Sequence, residues 1–255
     1  MIASGTINLF SLILMRMSGC ILLNPILGRR NIPSPFRVGL TLVMTLLVTT
    51  FTDIVPPPAQ TTVFGFLFVL LKELMVGLII GFVISLFNYV VSFGGELIDL
   101  QMGLSMSKIF DPSSNVNMSL SATFFNLLYT FLFFSAGGHL TLMRLFMISG
   151  QVVPYGGVII TTGLYTAILD IFIQCTILAV KFALPIIALE ILIEMGMGMI
   201  MKAIPQINVF VINIQAKVLL GLVMLVAMFV PFSEFLERLI TIMFETIDSV
   251  MLLLR

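Results

Sequence analysis

The chain has 255 residues, of which 60% are hydrophobic and only 9% are charged. A soluble domain carries about 25% charged residues because its surface faces water, so this composition excludes a soluble globular protein and predicts a membrane protein. The 12 basic and 12 acidic residues give a formal net charge of zero, so the composition gives no electrostatic footprint for nucleic acid, which needs a basic face or stripe.

Long apolar runs follow one another along the chain, and they are continuous where the strands of a membrane β-barrel would alternate. We predict an all-α protein of one domain, with helices over residues 7–27, 38–55, 63–92, 120–136, 158–178, 182–201, 209–230 and 236–254. A helix needs about 20 residues to cross the hydrocarbon core, and some of these runs are shorter. The first run lacks a basic leader and contains Arg16, so we expect it to be kept in the mature protein.

Proline and glycine clusters mark the breaks between the runs. Pro56-Pro57-Pro58 closes the second run, and Gly94-Gly95 is expected to bend or end the third. Gly137-Gly138 and Pro154 enclose a short segment, which we interpret as a re-entrant or surface helix.

The longest polar stretch in the middle of the chain is Met102–Met118. It is rich in Ser and Asn, and Asp111-Pro112 favours a turn. On composition alone we interpret this stretch as an ordinary connecting loop between two hydrophobic helical arms.

Charged residues lie within or at the edges of the apolar runs. They are Arg16, Lys72, Glu73, Asp170, Lys181, Glu190, Glu194 and Lys217. In the run 182–201, the two central glutamates raise the free energy of insertion into a membrane by about 5–7 kcal/mol. The strongly apolar residues of the run lower it by only about 4 kcal/mol. Since Glu190 and Glu194 are four residues apart, they share a helical face and are expected to meet a basic partner together.

A second set of residues predicts close helix packing. Glu73, Gly77 and Gly81 share one face of the third run, and the two glycines form a GxxxG motif.

The charged residues in the apolar runs have two interpretations. They could form a proton or ion relay, as in a secondary transporter, or they could pair the subunits of an assembly. We favour pairing because the charged residues are scattered over many segments.

No catalytic constellation is present in the sequence. His139 is the only histidine, so no histidine metal cluster or catalytic triad can form, and we favour a capping or packing role over pH sensing. Cys20 and Cys175 are interpreted as buried apolar residues, and the 18 methionines as deformable core residues. We predict that the protein is not an enzyme and binds no cofactor.

Several motifs resemble the FliR family of flagellar export-gate proteins and its relatives in virulence-type secretion systems. In chain order they are Arg16 with GRRNIPSPFRVGL (28–40), LLKELMVGLIIGF (70–82), GGELIDLQMG (94–103), FDP (110–112), GGHL (137–140), ALP (183–185) and IPQINVF (204–210). The motifs cover nearly the whole chain, although Ala136 stands where the family often has an acid. GRRNIP favours the flagellar branch.

The resemblance implies a fold and a set of partners. Long hydrophobic hairpins would pack into a helical, pseudo-symmetric hetero-oligomer with FliP-like and FliQ-like gate subunits, and FlhB-like and FlhA-like export proteins would join them. Residues 1–150 would form a FliP-like portion and residues 151–255 a FliQ-like portion.

The resemblance also implies a function and a place in the cell. The chain would be a core subunit of the flagellar type III export gate in the bacterial inner membrane, at the flagellar basal body. There it would form part of the channel through which unfolded flagellar subunits cross. The alternatives are a virulence-type homologue of the same gate and an autonomous ion-coupled secondary transporter.

The resemblance finally implies roles for individual residues. In the family the central loop enters and plugs the channel, which here would involve Met102, Gly103, Met106, Lys108, Phe110, Asp111, Pro112, Asn115 and Met118. Polar and charged residues expected at subunit interfaces are Arg16, Lys72, Glu73, Asp99, Gln101, Glu190, Glu194, Pro205, Gln206, Asn208 and Lys217. Gly77 and Gly81 are expected to pack helices together.

Overall fold

The computed structural model describes residues 2–29, 32–51, 62–105, 119–158, 162–203 and 209–255. Within them lie eight α-helices and no β-strand. The helices are α1 (Ile2–Leu22), α2 (Ser34–Phe51), α3 (Val63–Gln101), α4 (Leu120–Ser135), α5 (Gly138–Val152), α6 (Thr162–Ala203), α7 (Val209–Ala227) and α8 (Phe229–Leu253). The prediction of an all-α protein is confirmed.

Two helices are longer than the apolar runs predicted. α3 has 39 residues and α6 has 42, and α6 continues through Pro185 without ending. At 1.5 Å per residue α6 is roughly 63 Å long, about twice the thickness of the hydrocarbon core. The two runs predicted at 158–178 and 182–201 are therefore one helix.

Gly94-Gly95 do not end the third helix, which was one of the two outcomes that the sequence predicted for them. Both glycines are helical and buried, and α3 continues to Gln101. A Cβ atom on Gly94 would lie 2.7 Å from the Phe182 ring, and one on Gly95 would meet the backbone of Ala122. These glycines allow neighbouring helices to approach closely, so their role is packing and not a turn.

Three described helices are long and apolar enough to cross a membrane, namely Ser34–Phe51, Val63–Gln101 and Gly163–Lys202. Two bent pairs, α4 with α5 and α7 with α8, would each pass the same test as a single broken span, giving up to five. Large apolar side chains are exposed on every helix, among them Phe64 at 86% and Val226 at 78%. Because water does not favour such a surface, lipid or other protein chains must cover it.

The chain divides into two compact units. The first unit contains Met1–Phe87, Phe134–Ile173 and Ile240–Arg255, and the second contains Asn88–Phe133 and Gln174–Leu239. α1 packs against α2 in the first unit. An aromatic cluster lies in the core of the second, where the ring centroid of Phe125 is 4.8 Å from that of Phe182 and 5.0 Å from that of Phe232. The partition into FliP-like and FliQ-like portions stays a prediction.

Candidate functional site

Arg16 and Glu73 form a buried ion pair in the first unit. Arg16 Nε donates a hydrogen bond of 2.7 Å to Glu73 Oε2, and Arg16 Nη2 lies 2.6 Å from the same oxygen. Arg16 Nη1 donates to the carbonyl oxygens of Ser149 at 3.0 Å and Val153 at 2.8 Å. Because the C-terminus of a helix carries partial negative charge and unpaired carbonyl groups, Arg16 caps α5.

Glu73 and its neighbour Lys72 hold the chain that follows α5. The second oxygen of Glu73 accepts a hydrogen bond of 2.8 Å from the backbone N–H of Gly156, and Lys72 Nζ donates to the carbonyl of Val158 at 3.3 Å. The guanidinium carbon of Arg16 lies 4.0 Å from the centroid of the Tyr155 ring, a cation–π distance.

We call Arg16, Glu73, Ser149, Val153, Tyr155 and Gly156 the Arg16 cluster. It connects α1, α3, α5 and the residues after α5 in one hydrogen-bonded network. Such a network stabilises a structure only when its buried polar groups find partners. Here Arg16 Nε, Arg16 Nη1 and both carboxylate oxygens of Glu73 have hydrogen-bond partners.

The crossing of α1 and α3 is made possible by small residues. A Cβ atom on Gly77 would lie 2.9 Å from the Gly19 Cα atom, and one on Gly81 would lie 3.2 Å from the carbonyl oxygen of Cys20. The two backbones are therefore in contact at this point. Glu73 lies one turn before Gly77 on the same helix, so the structure places both the carboxylate and the GxxxG motif against α1.

Arg16 and Glu73, which were expected at a subunit interface, are buried inside the chain. Both side chains are 0% exposed in the single chain, and a contact of either with another subunit stays a prediction. Their partner is each other, across 57 residues of sequence. The sequence showed that both charges needed compensation, but a pair between different helices has no characteristic spacing.

A second polar cluster lies in the second unit, where α3 ends and α4 begins. The Asp99 side chain is buried, and its Oδ2 accepts a hydrogen bond of 2.6 Å from the Ser119 hydroxyl. The backbone N–H of Ser121 donates to Oδ1 at 3.1 Å, and that of Ala122 donates to Ser119 Oγ at 3.1 Å. The carboxylate and the hydroxyl together cap α4, where a negative charge is favourable.

We call Asp99, Ser119 and Ser121 the Asp99 clasp. Because Asp99 is on α3 and the serines are at the start of α4, the clasp joins the two ends of the stretch 102–118. The sequence singled out Asp99 but not the two serines. The available signal was a serine directly before an apolar run, which is typical of a helix N-cap.

The first two residues of the predicted plug lie beside the clasp. Met102 is fully buried, and Gly103 has a φ of 79°, in the left-handed region that favours glycine. Gln101 is half-buried at the end of α3. The other predicted plug residues (Met106, Lys108, Phe110, Asp111, Pro112, Asn115, Met118) and Pro205, Gln206 and Asn208 lie outside the described residues.

A buried carboxyl group lies close to Met102. Glu190 on α6 is 0% exposed, and neither of its oxygens has a hydrogen-bond partner in the part of the chain that the structure describes. A Cβ atom on Gly221 would lie 2.9 Å from Glu190 Oε1 and 2.6 Å from Met102 Cε. We call Met102, Glu190 and Gly221 the Glu190 pocket.

Of the two glutamates of α6, Glu194 is the one that forms an ion pair within the described residues. Glu194 forms an ion pair with Lys217 of α7, in which the lysine is mostly buried and the carboxylate is about half exposed. Glu190, one turn earlier, accepts no hydrogen bond from that lysine. The helical spacing was correct, but the register of α6 against α7 places Gly221 opposite Glu190.

An apolar cavity of about 410 Å³ opens next to the Asp99 clasp. Leu104 lines it from the chain after α3, Leu120 and Phe124 from α4, and Leu222 and Val226 from α7. Both described ends of the stretch 102–118 therefore border an apolar space in the second unit.

The residues with possible redox or acid–base chemistry lie in apolar surroundings. His139 packs beside Phe134, with ring centroids 5.3 Å apart. Cys20 and Cys175 are free and buried. Among the described residues no three His, Cys, Asp or Glu side chains converge on a possible metal site.

Most of the chain matches known proteins. The family described as bacterial export proteins, family 1, matches residues 7–243. Flagellar biosynthetic protein FliR of Escherichia coli (strain K12) is 27% identical over 246 residues, which cover 96% of this chain and 93% of that protein. FliR of Bacillus subtilis (strain 168) is 25% identical over 96% of this chain and 95% of its own length. FliR of Aquifex aeolicus (strain VF5) is 31% identical over 79% of this chain and 77% of its own length.

Proposed function

The chain belongs to the bacterial export proteins, family 1, and from this premise we propose that it forms part of a channel through which unfolded flagellar subunits cross the inner membrane. It matches flagellar biosynthetic proteins of Escherichia coli and Bacillus subtilis over almost their whole length. The chain is therefore a component of the flagellar export apparatus. The same comparisons do not favour a virulence-type homologue or an autonomous transporter. The match over residues 7–243 is the observation that carries this conclusion.

The exposed surface of the helices supports a place inside a membrane assembly. Asp170 and Lys181 are exposed on α6, beside the exposed apolar side chains of Leu169 and Val180. A charge in an apolar surface is stable only near water or another polar group. Neighbouring subunits would supply such groups, and we propose that FliP-like and FliQ-like gate subunits lie there, with FlhB-like and FlhA-like export proteins nearby.

The stretch 102–118 is proposed as the gate of the channel. The Asp99 clasp supports this role because it holds the two ends of the stretch together in the second unit. A loop with fixed ends can move at its centre while the helices stay in place. The clasp would position the gate, and passing substrate would displace it.

The Arg16 cluster is proposed to keep the rest of the chain fixed while substrate passes. It joins α1, α3 and α5 through the buried hydrogen bonds of Arg16 and Glu73. The function is then conduction of a polypeptide and involves no bond chemistry by this chain, so we do not propose an enzyme.

The proposal is tested by purifying the tagged chain with its chromosomal neighbours in mild detergent and measuring native mass spectra. We expect one copy of this chain in a complex with several FliP-like and FliQ-like chains. A monomer or homodimer without partners would contradict the proposal. Ion flux through the same complex with residues 106–116 deleted tests the gate separately, because the complex should assemble and then leak ions.

A further inference from the structure

Glu190 is the feature of the second unit that the channel role leaves unexplained. Its side chain is 0% exposed, and neither oxygen accepts a hydrogen bond among the described residues. The other buried carboxylates differ, since Glu73 pairs with Arg16 and Asp99 caps α4. An ionised carboxylate is not stable in an apolar interior without a partner, and the usual outcome is that the group takes up a proton.

The charges around Glu190 leave a negative excess. Among the described residues, the charged groups whose fields reach Glu190 are Lys217 of α7 and Glu194 on its own helix. Lys217 is already paired with Glu194. If both glutamates were ionised, the three groups together would carry one uncompensated negative charge in a closed space.

A cation from a neighbouring subunit does not remove this excess in the observed arrangement. Glu190 is enclosed by its own chain, with Met102 and Gly221 directly beside it. A lysine or arginine from outside would have to displace one of these residues. A proton is small enough to compensate the charge without any displacement.

We propose that Glu190 is a proton-binding site, neutral while Lys217 pairs with Glu194 and Met102 covers the carboxyl group. The proton resides on one of the two carboxyl oxygens, and its release to water leaves a carboxylate. Lys217 is the described cation whose field reaches this carboxylate, so release weakens the pair between Lys217 and Glu194.

The location of Met102 connects this site to the stretch 102–118. Met102 directly follows α3. The Met102 side chain and Glu190 Oε1 both lie beside Gly221, within 3 Å of the position that a Cβ atom on this glycine would take. Water reaches the carboxyl group only when a covering residue moves. Movement of the chain after α3 would therefore open the proton site, and a change of charge on Glu190 would disturb the position of Met102.

Infrared difference spectroscopy of the intact complex in lipid nanodiscs tests the inference. A neutral carboxyl group gives a carbonyl stretching band that an ionised carboxylate lacks. We expect this band in the parent complex near neutral pH, its loss in Glu190→Gln and its persistence in the control Glu234→Gln, which changes an exposed glutamate of α8. Identical bands in the parent and Glu190→Gln complexes would overturn the proposal.

Assembly of the variants provides a second test. Glutamine has the size and neutrality of protonated glutamate, so Glu190→Gln should be retained in the complex at the level of the parent. If Glu190→Gln failed to assemble while the ionisable Glu190→Asp succeeded, the site would need a charge and the proposal would be wrong.

The covering role of Met102 is tested by the rate at which the same band shifts after transfer to heavy water. Met102→Ala should accelerate the shift several-fold. Met195→Ala, which changes an exposed methionine on the helix of Glu190, should leave it unchanged. Equal rates in the parent and Met102→Ala complexes would show that Met102 does not cover the site.

Discussion

Arg16 of α1 and Glu73 of α3 are joined by a 2.7 Å hydrogen bond in a place that solvent does not reach. Removing one member of a buried ion pair leaves the other charge without compensation, which costs about 3–5 kcal/mol. Arg16→Met should therefore lower the amount of folded chain in the membrane strongly. Arg144→Met, at an exposed position on α5, is the matched control.

The double variant Arg16→Met with Glu73→Met separates the charge effect from the capping effect. It removes both charges, so it should be more stable than Arg16→Met alone. It should not reach the stability of the parent, because the carbonyl of Val153 and the N–H of Gly156 lose the partners that Arg16 and Glu73 provide, and the carbonyl of Ser149 keeps only the N–H of Val153. Protease resistance in detergent measures both differences, and a double variant less stable than the single one would contradict this account.

Gly77→Ala should weaken the crossing of α1 and α3. The added methyl group would meet the backbone of α1 at Arg16 and Gly19, and backbone cannot move aside as a flexible side chain can. We expect a loss of about 1–3 kcal/mol. Gly39→Ala is the control, because its Cβ would have no neighbour within 4 Å, and replacing a helical glycine there should stabilise the chain by about 0.5–1 kcal/mol. Thermal unfolding of the two variants should shift in opposite directions.

Asp99→Asn should loosen the base of the stretch 102–118. The change removes the negative charge at the start of α4 and weakens the hydrogen bonds to Ser119 and Ser121, at a cost of about 1–2 kcal/mol. Hydrogen exchange at the Ser121 and Ala122 amides should then be about 5–30-fold faster. Glu96→Gln, exposed one turn earlier on α3, should leave these rates unchanged.

Gly221→Ala should disturb the Glu190 pocket without unfolding the second unit. The new Cβ would lie 2.6 Å from the terminal carbon of Met102, which is flexible and can turn away. We expect a loss of about 1 kcal/mol in stability together with an increased ion leak through the assembled complex. Gly198→Ala on α6 has open space around its Cβ, and a leak in both variants would show that the pocket is not responsible.

Tyr155 should stabilise the Arg16 cluster mainly through its ring. Tyr155→Phe keeps the ring under the guanidinium and should cost little stability. Tyr155→Leu loses the cation–π contact and should cost about 1–2 kcal/mol.

The hydroxyl of Tyr155 makes stability depend on pH in alkali. Burial raises the pKa of Tyr155 to about 12, above the usual value of about 10. Its contribution is therefore complete below pH ~10 and is lost as the pH rises towards 12. Unfolding measured in alkali should show this loss in the parent and not in Tyr155→Phe.

The helix class and the main packing motif followed directly from the sequence, because both depend on local patterns. Continuous apolar runs gave helices, and the spacing of Gly77 and Gly81 indicated a face suited to close approach. The extents of the helices did not follow, since α3 continues through Gly94-Gly95 and α6 through Pro185. Packing against Phe182 and Ala122 decides the conformation of the two glycines, and a local pattern does not contain those neighbours.

The sequence identified the charged residues of the candidate site but not the partners with which they pair. The insertion energy of the run 182–201 showed that Glu190 needed compensation, and the location of Arg16 and Glu73 in apolar runs indicated the same for them. These observations did not show that Arg16 and Glu73 compensate each other or that Glu190 has no described partner. Such pairings depend on the register between helices far apart in sequence, which no spacing rule provides.

The capping of α5 by Arg16 has a consequence for the order in which the chain is made. Ser149 and Val153 follow Arg16 by 133 and 137 residues. At 5–20 residues per second, a ribosome needs roughly 7–27 s to make the second acceptor after the arginine. Glu73 follows Arg16 by only 57 residues, so during the later part of that interval the ion pair can form while the carbonyl acceptors of α5 do not yet exist. The site around Arg16 is therefore completed only when α5 has been made, and until then Arg16 Nη1 must be hydrogen-bonded by water or lipid headgroups.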